Sequence, residues 1–133
     1  GLKQAAAMLQ AFCREHAGDD SLAEFIAPLA EAAREHEALT REIAERAMGN
    51  PEEIGAASVD YLFCTGYLML GYWWARSVAA ADAGALEDSF RQAKRETARF
   101  YFARILPRRL GHAAAIRSGS DNLMRLDAAH FDA

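Results

Sequence analysis

The chain has 133 residues, 52% of them hydrophobic and 26% charged, with a net charge of −4 and two cysteines. This length and composition are typical of one globular domain with its own core. The acidic balance argues against nucleic acid as a partner. Two cysteines in apolar helical contexts indicate a reduced, cytoplasmic protein rather than a disulfide framework. The chain starts at Gly1 in a helical pattern, which we interpret as part of a longer protein.

Four segments show the spacing of three and four residues between apolar side chains that is typical of amphipathic helices, and none alternates like a strand. The connections between them are short, so neighbouring helices should run antiparallel. We therefore predict an all-α fold, an up-down-up-down four-helix bundle over residues 1–120 followed by a C-terminal tail over 121–133. The predicted helices span about residues 2–17, 22–48, 51–81 and 86–117.

Residues that cap or interrupt helices support these boundaries. Asp20 or Ser21 can cap the second helix, with Glu24 at capping-box spacing, and Asn50 can cap the third. Pro107 lies within the fourth segment. We expect it to kink or break that helix, because its ring removes a backbone donor and crowds the preceding turn.

Residues 61–75 read YLFCTGYLMLGYWWA, a run of fifteen residues without a charge. A membrane span needs about 20 apolar residues, so we predict no span but a core helix that is buried on every side. Gly66 and Gly71 would mark points where a neighbouring helix comes close. Two adjacent residues point about 100° apart on a helix. One of Trp73 and Trp74 should therefore reach an edge, which makes both candidate interface residues.

Charge is distributed unevenly along the chain. Residues 15–60 carry 12 acidic and 3 basic side chains, whereas residues 90–109 carry 7 basic side chains and 1 acidic one. Two interpretations remain open. The basic fourth helix can pair with the acidic second helix or simply be a solvated face, or it can form a ridge for an acidic partner, with Arg95 and Arg99 as candidate interface residues. Exposed pairs contribute only about 0–1 kcal/mol each, so they would orient helices more than stabilise them.

No residue pattern predicts a catalytic, cofactor-binding or metal site in this chain. None of the four histidines follows a Glu by three residues, as a di-iron bundle requires. Cys13 and His16 provide only two ligands where a zinc site needs four. Glycine-rich phosphate-binding motifs and the nucleophile-elbow motif are missing from the sequence. His36, on the inward face of the second helix, is interpreted as a core histidine with a hydrogen-bonded nitrogen.

Two groups of residues in the third and fourth helices form a recognisable combination. They are Tyr61, Leu62, Gly66, Gly71, Tyr72, Ala75 and Arg76, followed by Lys94, Ala98, Arg99, Phe100, Tyr101, Leu106 and Pro107. This combination resembles the C-terminal domain of acyl-CoA dehydrogenases, in particular of the methylmercaptopropionyl-CoA dehydrogenase-like subgroup. The resemblance covers most of the chain and is strongest over residues 60–107, although Tyr72 stands where the family has Trp.

The resemblance implies a parent enzyme of fatty acid metabolism that oxidises an acyl-CoA thioester to the 2,3-enoyl-CoA, with FAD as hydride acceptor. The flavin site and the catalytic glutamate would lie in an upstream dehydrogenase core, and no residue here is carried over as catalytic or FAD-binding. This chain would dock on that core, shape a subunit interface of a homo-oligomer or cover part of the substrate entrance, and docking and assembly are the favoured roles. Two alternatives remain open: an independent helical protein-interaction module, and a bundle with its own ligand, lined by Tyr67, Trp73 and Tyr101.

Overall fold

The computed structural model describes residues 1–132, and all regular structure in that range is helical, which confirms the all-α prediction. The α-helices follow in the order α1 (Leu2–Glu15), α2 (Ala23–Gly49), α3 (Glu52–Ala83), α4 (Asp88–Phe100), α5 (Arg109–Arg117) and α6 (Asp121–Met124). Three short 3-10 turns and one π-helical turn connect or follow them. Their bounds are Asp20–Leu22, Tyr101–Ile105 for the π turn, Leu106–Arg108 and Ala128–Phe131.

The start of α2 differs from the prediction. The capping residue is Asp19, whose Oδ1 accepts hydrogen bonds from the backbone N–H of Ser21 at 3.1 Å and from its hydroxyl at 2.7 Å. This cap opens the 3-10 turn over Asp20–Leu22, and α2 begins only at Ala23. The predicted cap at Asp20 or Ser21 is wrong because the carboxylate one residue earlier already satisfies the first free N–H of the turn.

The structure of α3 confirms the predicted cap at Asn50 and corrects the prediction that this helix is buried on every side. Asn50 Oδ1 accepts a hydrogen bond from the backbone N–H of Glu52 at 3.2 Å. The helix then runs for 32 residues and is buried along one side only, not on every side, because the other helices cover a single face. Its buried residues are Ala57, Cys64, Leu68, Gly71, Tyr72, Ala75, Val78 and Ala81.

The fourth predicted segment is divided into two helices. Pro107 lies in a 3-10 turn, which confirms that it interrupts the helix. The interruption begins earlier, in the π turn Tyr101–Ile105. A proline ring crowds the carbonyl four residues before it, here that of Ala103, and a widened turn is one way for the backbone to relieve that crowding. The segment predicted over 86–117 therefore forms two helices, α4 and α5, joined by these two turns.

α3 is the helix that the other elements share. The larger apolar cluster, around Leu29 and Tyr72, joins α3 to α1, α2, α4 and the turns before α5. The smaller cluster joins α3 to α2 and α5 around Leu39 and Cys64. Residues further along α2, α4 and α5 contact residues progressively earlier in α3, as expected for antiparallel helices. The pairs that show this order are His36–Thr65 and Thr40–Tyr61 with α2, and Asp82–Arg95 and Cys64–Arg109 with α4 and α5.

Candidate functional site

The two adjacent tryptophans lie in different environments. Trp73 is 50% exposed on the outer side of α3, and the guanidinium carbon of Arg76 lies 5.2 Å from its ring centroid. Trp74 packs against the larger apolar cluster, with the ammonium nitrogen of Lys94 5.9 Å from its ring. Trp73 is therefore the tryptophan at the edge, where the cation–π contact with Arg76 helps to orient its ring.

Trp73 belongs to an exposed apolar stripe on α3. The α3 stripe consists of Val59, Leu62, Gly66, Leu70 and Trp73, and each of its four large side chains is half exposed or more. Successive members are separated by three, four, four and three residues, so they lie on one face of the helix. Sequence reasoning missed this face because the whole segment is apolar, and its pattern does not indicate which side has a neighbour.

The two glycines of the segment have different surroundings. Gly71 faces side chains of other elements: a Cβ placed there would lie 3.5 Å from Leu29 Cδ1 and 3.6 Å from Tyr101 Cε1. Gly71 thus packs against neighbouring side chains at ordinary van der Waals distances that would also accept a methyl group, and no backbone approach requires glycine there. At Gly66, a Cβ would meet no described atom within 4 Å. The prediction for Gly66 is wrong within this chain, because the neighbouring helices pack on the opposite side of α3.

Both candidate interface arginines bind groups of their own chain. Arg99 donates hydrogen bonds to both carboxylate oxygens of Glu24, at 2.6 and 3.0 Å. Arg95 donates to Asp82 Oδ2 at 2.8 Å and to the carbonyl oxygen of Ser21 at 2.6 Å. The hydrogen bond from Arg99 is the main reason that the pKa of Glu24 is lowered. This geometry favours pairing between α4 and the acidic start of α2, and a partner-binding role for these arginines stays a prediction.

A second group of ion pairs joins α5 to α2. Arg109 Nη1 donates to Glu35 Oε2 at 2.7 Å, and Arg117 Nη1 donates to Glu35 Oε1 at 3.1 Å. Arg117 Nε also donates to Glu42 at 3.1 Å. The hydrogen bond from Arg109 is the main cause of the lowered pKa of Glu35. These pairs agree with the interpretation that the basic fourth segment pairs with the acidic second helix. Sequence reasoning did not identify which residues pair, because the partners are more than 70 residues apart and no local pattern connects them.

An open groove of about 490 Å³ lies between α1, α2 and α3, and it contains a polar cluster. Thr65 donates its single hydroxyl proton to the carbonyl of Tyr61 at 2.9 Å, so His36 Nε2 is the donor in the 2.8 Å hydrogen bond to Thr65. Thr40 donates to the carbonyl of His36 at 2.9 Å, so the Tyr61 hydroxyl donates to Thr40 at 2.7 Å. Burial lowers the pKa of His36. The predicted hydrogen bond of His36 is confirmed, but the side chain lies partly exposed at the groove and not in the core.

Of the three residues expected to line a ligand site, Tyr67 and Tyr101 are in contact with each other, whereas Trp73 lies elsewhere. The Tyr101 hydroxyl donates to the backbone carbonyl of Tyr67 at 2.6 Å, and burial raises the pKa of Tyr101 to about 12. Trp73 points outward on the exposed side of α3. The groove between α1, α2 and α3 is lined by none of these three residues.

The aromatic side chain that lines the groove is engaged within the chain. Tyr61, the aromatic side chain of the groove, stacks on His36 with ring centroids 4.9 Å apart, so its ring and its hydroxyl are both engaged within the chain. Cys13 and Cys64 are free thiols, as predicted, and burial raises the pKa of both. Within residues 1–132, no three His, Cys, Asp or Glu side chains are grouped closely enough to hold a metal ion.

α3 is long and apolar enough to cross a membrane if only length and composition are considered, with a mean hydropathy of 1.2 over 18 residues. The sequence argument against a membrane span counted only the uncharged run 61–75. The helix that contains this run has 32 residues, so the length of the run does not exclude a span. In the folded chain one face of α3 packs in both apolar clusters. Only the opposite face is open to a bilayer or to another protein.

Comparison with protein families identifies the kind of domain. The family described as Acetyl-CoA dehydrogenase C-terminal like matches residues 5–127, which include α1 without its first turn and all of α2 to α6. The chain belongs to this family, and it is a C-terminal domain of the acyl-CoA dehydrogenase type. This confirms the family resemblance carried by the third and fourth predicted helices. No curated protein matches the chain.

Proposed function

We propose that this chain is a non-catalytic C-terminal domain of a flavin-dependent acyl-CoA dehydrogenase of the methylmercaptopropionyl-CoA dehydrogenase-like subgroup. Its proposed role is to dock on the upstream core and to take part in subunit assembly. The observation that carries the proposal is the family match over residues 5–127. The parent enzyme in this proposal is a cytoplasmic homo-oligomer of fatty acid metabolism that oxidises an acyl-CoA thioester to the 2,3-enoyl-CoA. Its FAD and its catalytic residues belong to the upstream core.

The use of charged residues within the chain supports a structural role. Arg95 and Arg99 connect α4 to α3 and α2, and Arg109 and Arg117 connect α5 to α2. Paired groups of this kind set the relative positions of helices. Among the candidate interface residues, we assign contact with a partner to Trp73, whereas Trp74 packs against the larger apolar cluster. Arg95 and Arg99 pair with Asp82 and Glu24, and their contact with a partner stays a prediction.

We also propose that α4 and α5 together form one arm of an up-down-up-down bundle with α1, α2 and α3. The antiparallel order of the contacts on both sides of α3 supports this arrangement. The π turn Tyr101–Ile105 and the 3-10 turn after it would join the two halves of that arm. Such a bundle would be a rigid support that leaves the α3 stripe uncovered.

The proposal is tested with the reading frame that precedes Gly1. We expect it to encode an acyl-CoA dehydrogenase core. Expressed as two separate polypeptides, that core and this chain should co-elute in size-exclusion chromatography, and the core alone should show altered subunit assembly. A frame without such a core, or a core that does not bind the chain, would contradict the proposal and favour an independent helical interaction module.

A second measurement tests the non-catalytic assignment. The chain alone, incubated with FAD, an acyl-CoA and an electron-acceptor dye, should give no turnover above the rate without protein. The co-expressed core is the positive control under the same conditions. Acyl-CoA-dependent dye reduction by the chain alone would overturn the assignment.

A further inference from the structure

The α3 stripe has a two-fold pattern in its sequence. Leu62 and Leu70 lie four residues before and after Gly66, and Val59 and Trp73 lie seven residues before and after it. Small residues, Gly55 and Ser77, stand eleven residues away on the two sides. The order of small and large side chains is therefore the same in both directions. A surface with this property can contact an identical copy of itself.

The conformational cost of Gly66 is not explained by contacts within residues 1–132. Glycine in a helix interior is unfavourable by about 1 kcal/mol relative to alanine. A Cβ at position 66 would meet no described atom within 4 Å, and the same holds at Gly55. Packing within this chain would therefore allow alanine at both positions. Glycine at positions 55 and 66 would be explained if the backbone of a second helix approached the stripe closely, because a side chain there would block the approach.

We propose that a second copy of this chain docks on the α3 stripe, with the two α3 helices antiparallel about a two-fold axis at Gly66. This inference rests on the assembly role proposed above and names the surface that performs it. Leu62 then packs against Leu70 of the partner subunit, and Val59 packs against Trp73 of the partner subunit. The two Gly66 residues face each other, and Gly55 faces Ser77 of the partner subunit.

Charge at the two ends of the stripe selects the antiparallel arrangement. Glu52 is exposed in the first turn of α3, and Arg76 is exposed near its other end. With Gly66 on the axis, Arg76 of the partner subunit lies opposite Ala56, one helical turn or about 6 Å from Glu52. Opposite charges therefore meet twice by symmetry. A parallel arrangement would instead place Glu52 beside Glu52 and Arg76 beside Arg76, which is unfavourable.

The size of the stripe predicts how strong the association is. From Val59 to Trp73 the stripe is about 21 Å long at 1.5 Å per residue. A single pair of helices over this length buries less than the roughly 800 Å² per partner of a standard interface. We therefore expect a dimer that forms and dissociates with concentration. The two-fold contact is closed, so association should stop at two copies.

The first test introduces a charge into the stripe. Sedimentation equilibrium of the 133-residue chain should show a monomer–dimer equilibrium, and L62E should weaken dimerisation about 30-fold or more, because it places two unpaired charges in the contact. L123E is the matched control, since Leu123 is 64% exposed and Leu62 is 69% exposed. The control should change the dimer Kd by no more than about twofold. Far-UV circular dichroism verifies that both variants are folded.

The second test separates the dimer contact from stability of the monomer. G66A should raise the Tm measured at concentrations where the chain is monomeric, because alanine favours the helix. The same substitution should weaken dimerisation, because its methyl groups meet on the axis. G71A is the control, since its methyl group would face the interior of the chain. A G66A variant with a higher Tm and an unchanged dimer Kd would overturn the proposal.

The third test places a thiol on the axis. G66C should form a disulfide between two copies under mild oxidation, because the Cα atoms of position 66 would lie within the roughly 7 Å that a bridge allows. L123C should not, and peptide mass spectrometry distinguishes the bridge from those of Cys13 and Cys64. Failure of G66C to link, together with a monomeric chain, would overturn the proposal.

The remaining outcomes identify a different occupant of the stripe. A monomeric chain that binds its upstream dehydrogenase core, with binding lost in L62E, would overturn self-association and leave the proposed function standing. A monomeric chain that binds neither core nor second copy but co-sediments with phosphatidylcholine–phosphatidylglycerol vesicles would overturn both and indicate a membrane surface. Dimerisation that is lost in L62E and G66A supports the two-fold contact.

Discussion

The ion pair between Arg109 and Glu35 is the contact that we expect to contribute most to holding α5 against α2. Arg109 Nη1 lies 2.7 Å from Glu35 Oε2, and the two side chains are 12% and 23% exposed. Exposed pairs contribute about 0–1 kcal/mol, whereas breaking a buried pair costs about 3–5 kcal/mol. We predict that R109M lowers the free energy of unfolding by about 1–3 kcal/mol, between these limits.

Two structural details keep the expected cost below that of a fully buried pair. Arg117 also donates to Glu35, at 3.1 Å, so the carboxylate keeps one cationic partner after the substitution. Arg109 Nε is buried without a hydrogen-bond partner among residues 1–132, so its removal also relieves a desolvation cost. The low exposure of Arg109 places the cost above that of a surface pair, since water screens the pair less.

The assay is urea unfolding followed by the helical circular dichroism signal, in a double-mutant cycle of R109M and E35Q. R117M is the control, because Arg117 is 40% exposed and its loss should cost no more than about 1 kcal/mol. The pKa of Glu35 is lowered in the folded chain, so its stabilising contribution is present at neutral pH and is lost as the pH falls below about 4.3. A coupling energy below about 0.3 kcal/mol at pH 7 would refute the reasoning.

Three further predictions concern the interior. Because burial lowers the pKa of His36, the unfolded chain binds more protons below pH about 6.5, so the free energy of unfolding should fall as the pH decreases below that value, and less steeply in H36Q. L29A removes a fully buried side chain and should cost about 2–5 kcal/mol in urea unfolding. Y101F removes the hydrogen bond to the Tyr67 carbonyl and should cost about 0.5–1.5 kcal/mol. Since the pKa of Tyr101 is about 12, spectrophotometric titration of Y101F should lack one late-titrating tyrosine.

Local chemistry made much of the secondary structure predictable from sequence. Asn50 caps α3 because its side-chain oxygen needs only the next two residues to find a free N–H. Pro107 interrupts its helix because its ring acts on the preceding turn. Both effects operate within about four residues, so they can be predicted from the local sequence without knowing the tertiary structure. The same local reasoning missed Asp19, since several neighbouring residues can accept the same hydrogen bond.

Sequence reasoning could suggest that the basic and acidic helices pair, but not which distant residues contact each other. Glu35 and Arg109 are 74 residues apart. Their pairing depends on how α5 packs against α2, and the π turn that interrupts the helix before α5 helps to set that orientation. The residues proposed for a ligand site, Tyr67 and Tyr101, instead hydrogen-bond to each other through a hydroxyl and a backbone carbonyl. A side chain's partner is set by the packing of whole helices, which periodicity alone does not specify.

By itself the sequence determined that the chain is helical, that α3 is its most apolar element, and which family it belongs to. These properties depend on composition, short-range spacing and the order of residues. Only the tertiary structure decided which face of α3 is covered. Because α3 is apolar around its whole circumference, either face could enter the core. The packing of α1, α2, α4 and α5 on one side leaves the stripe with Gly66 and Trp73 exposed on the other.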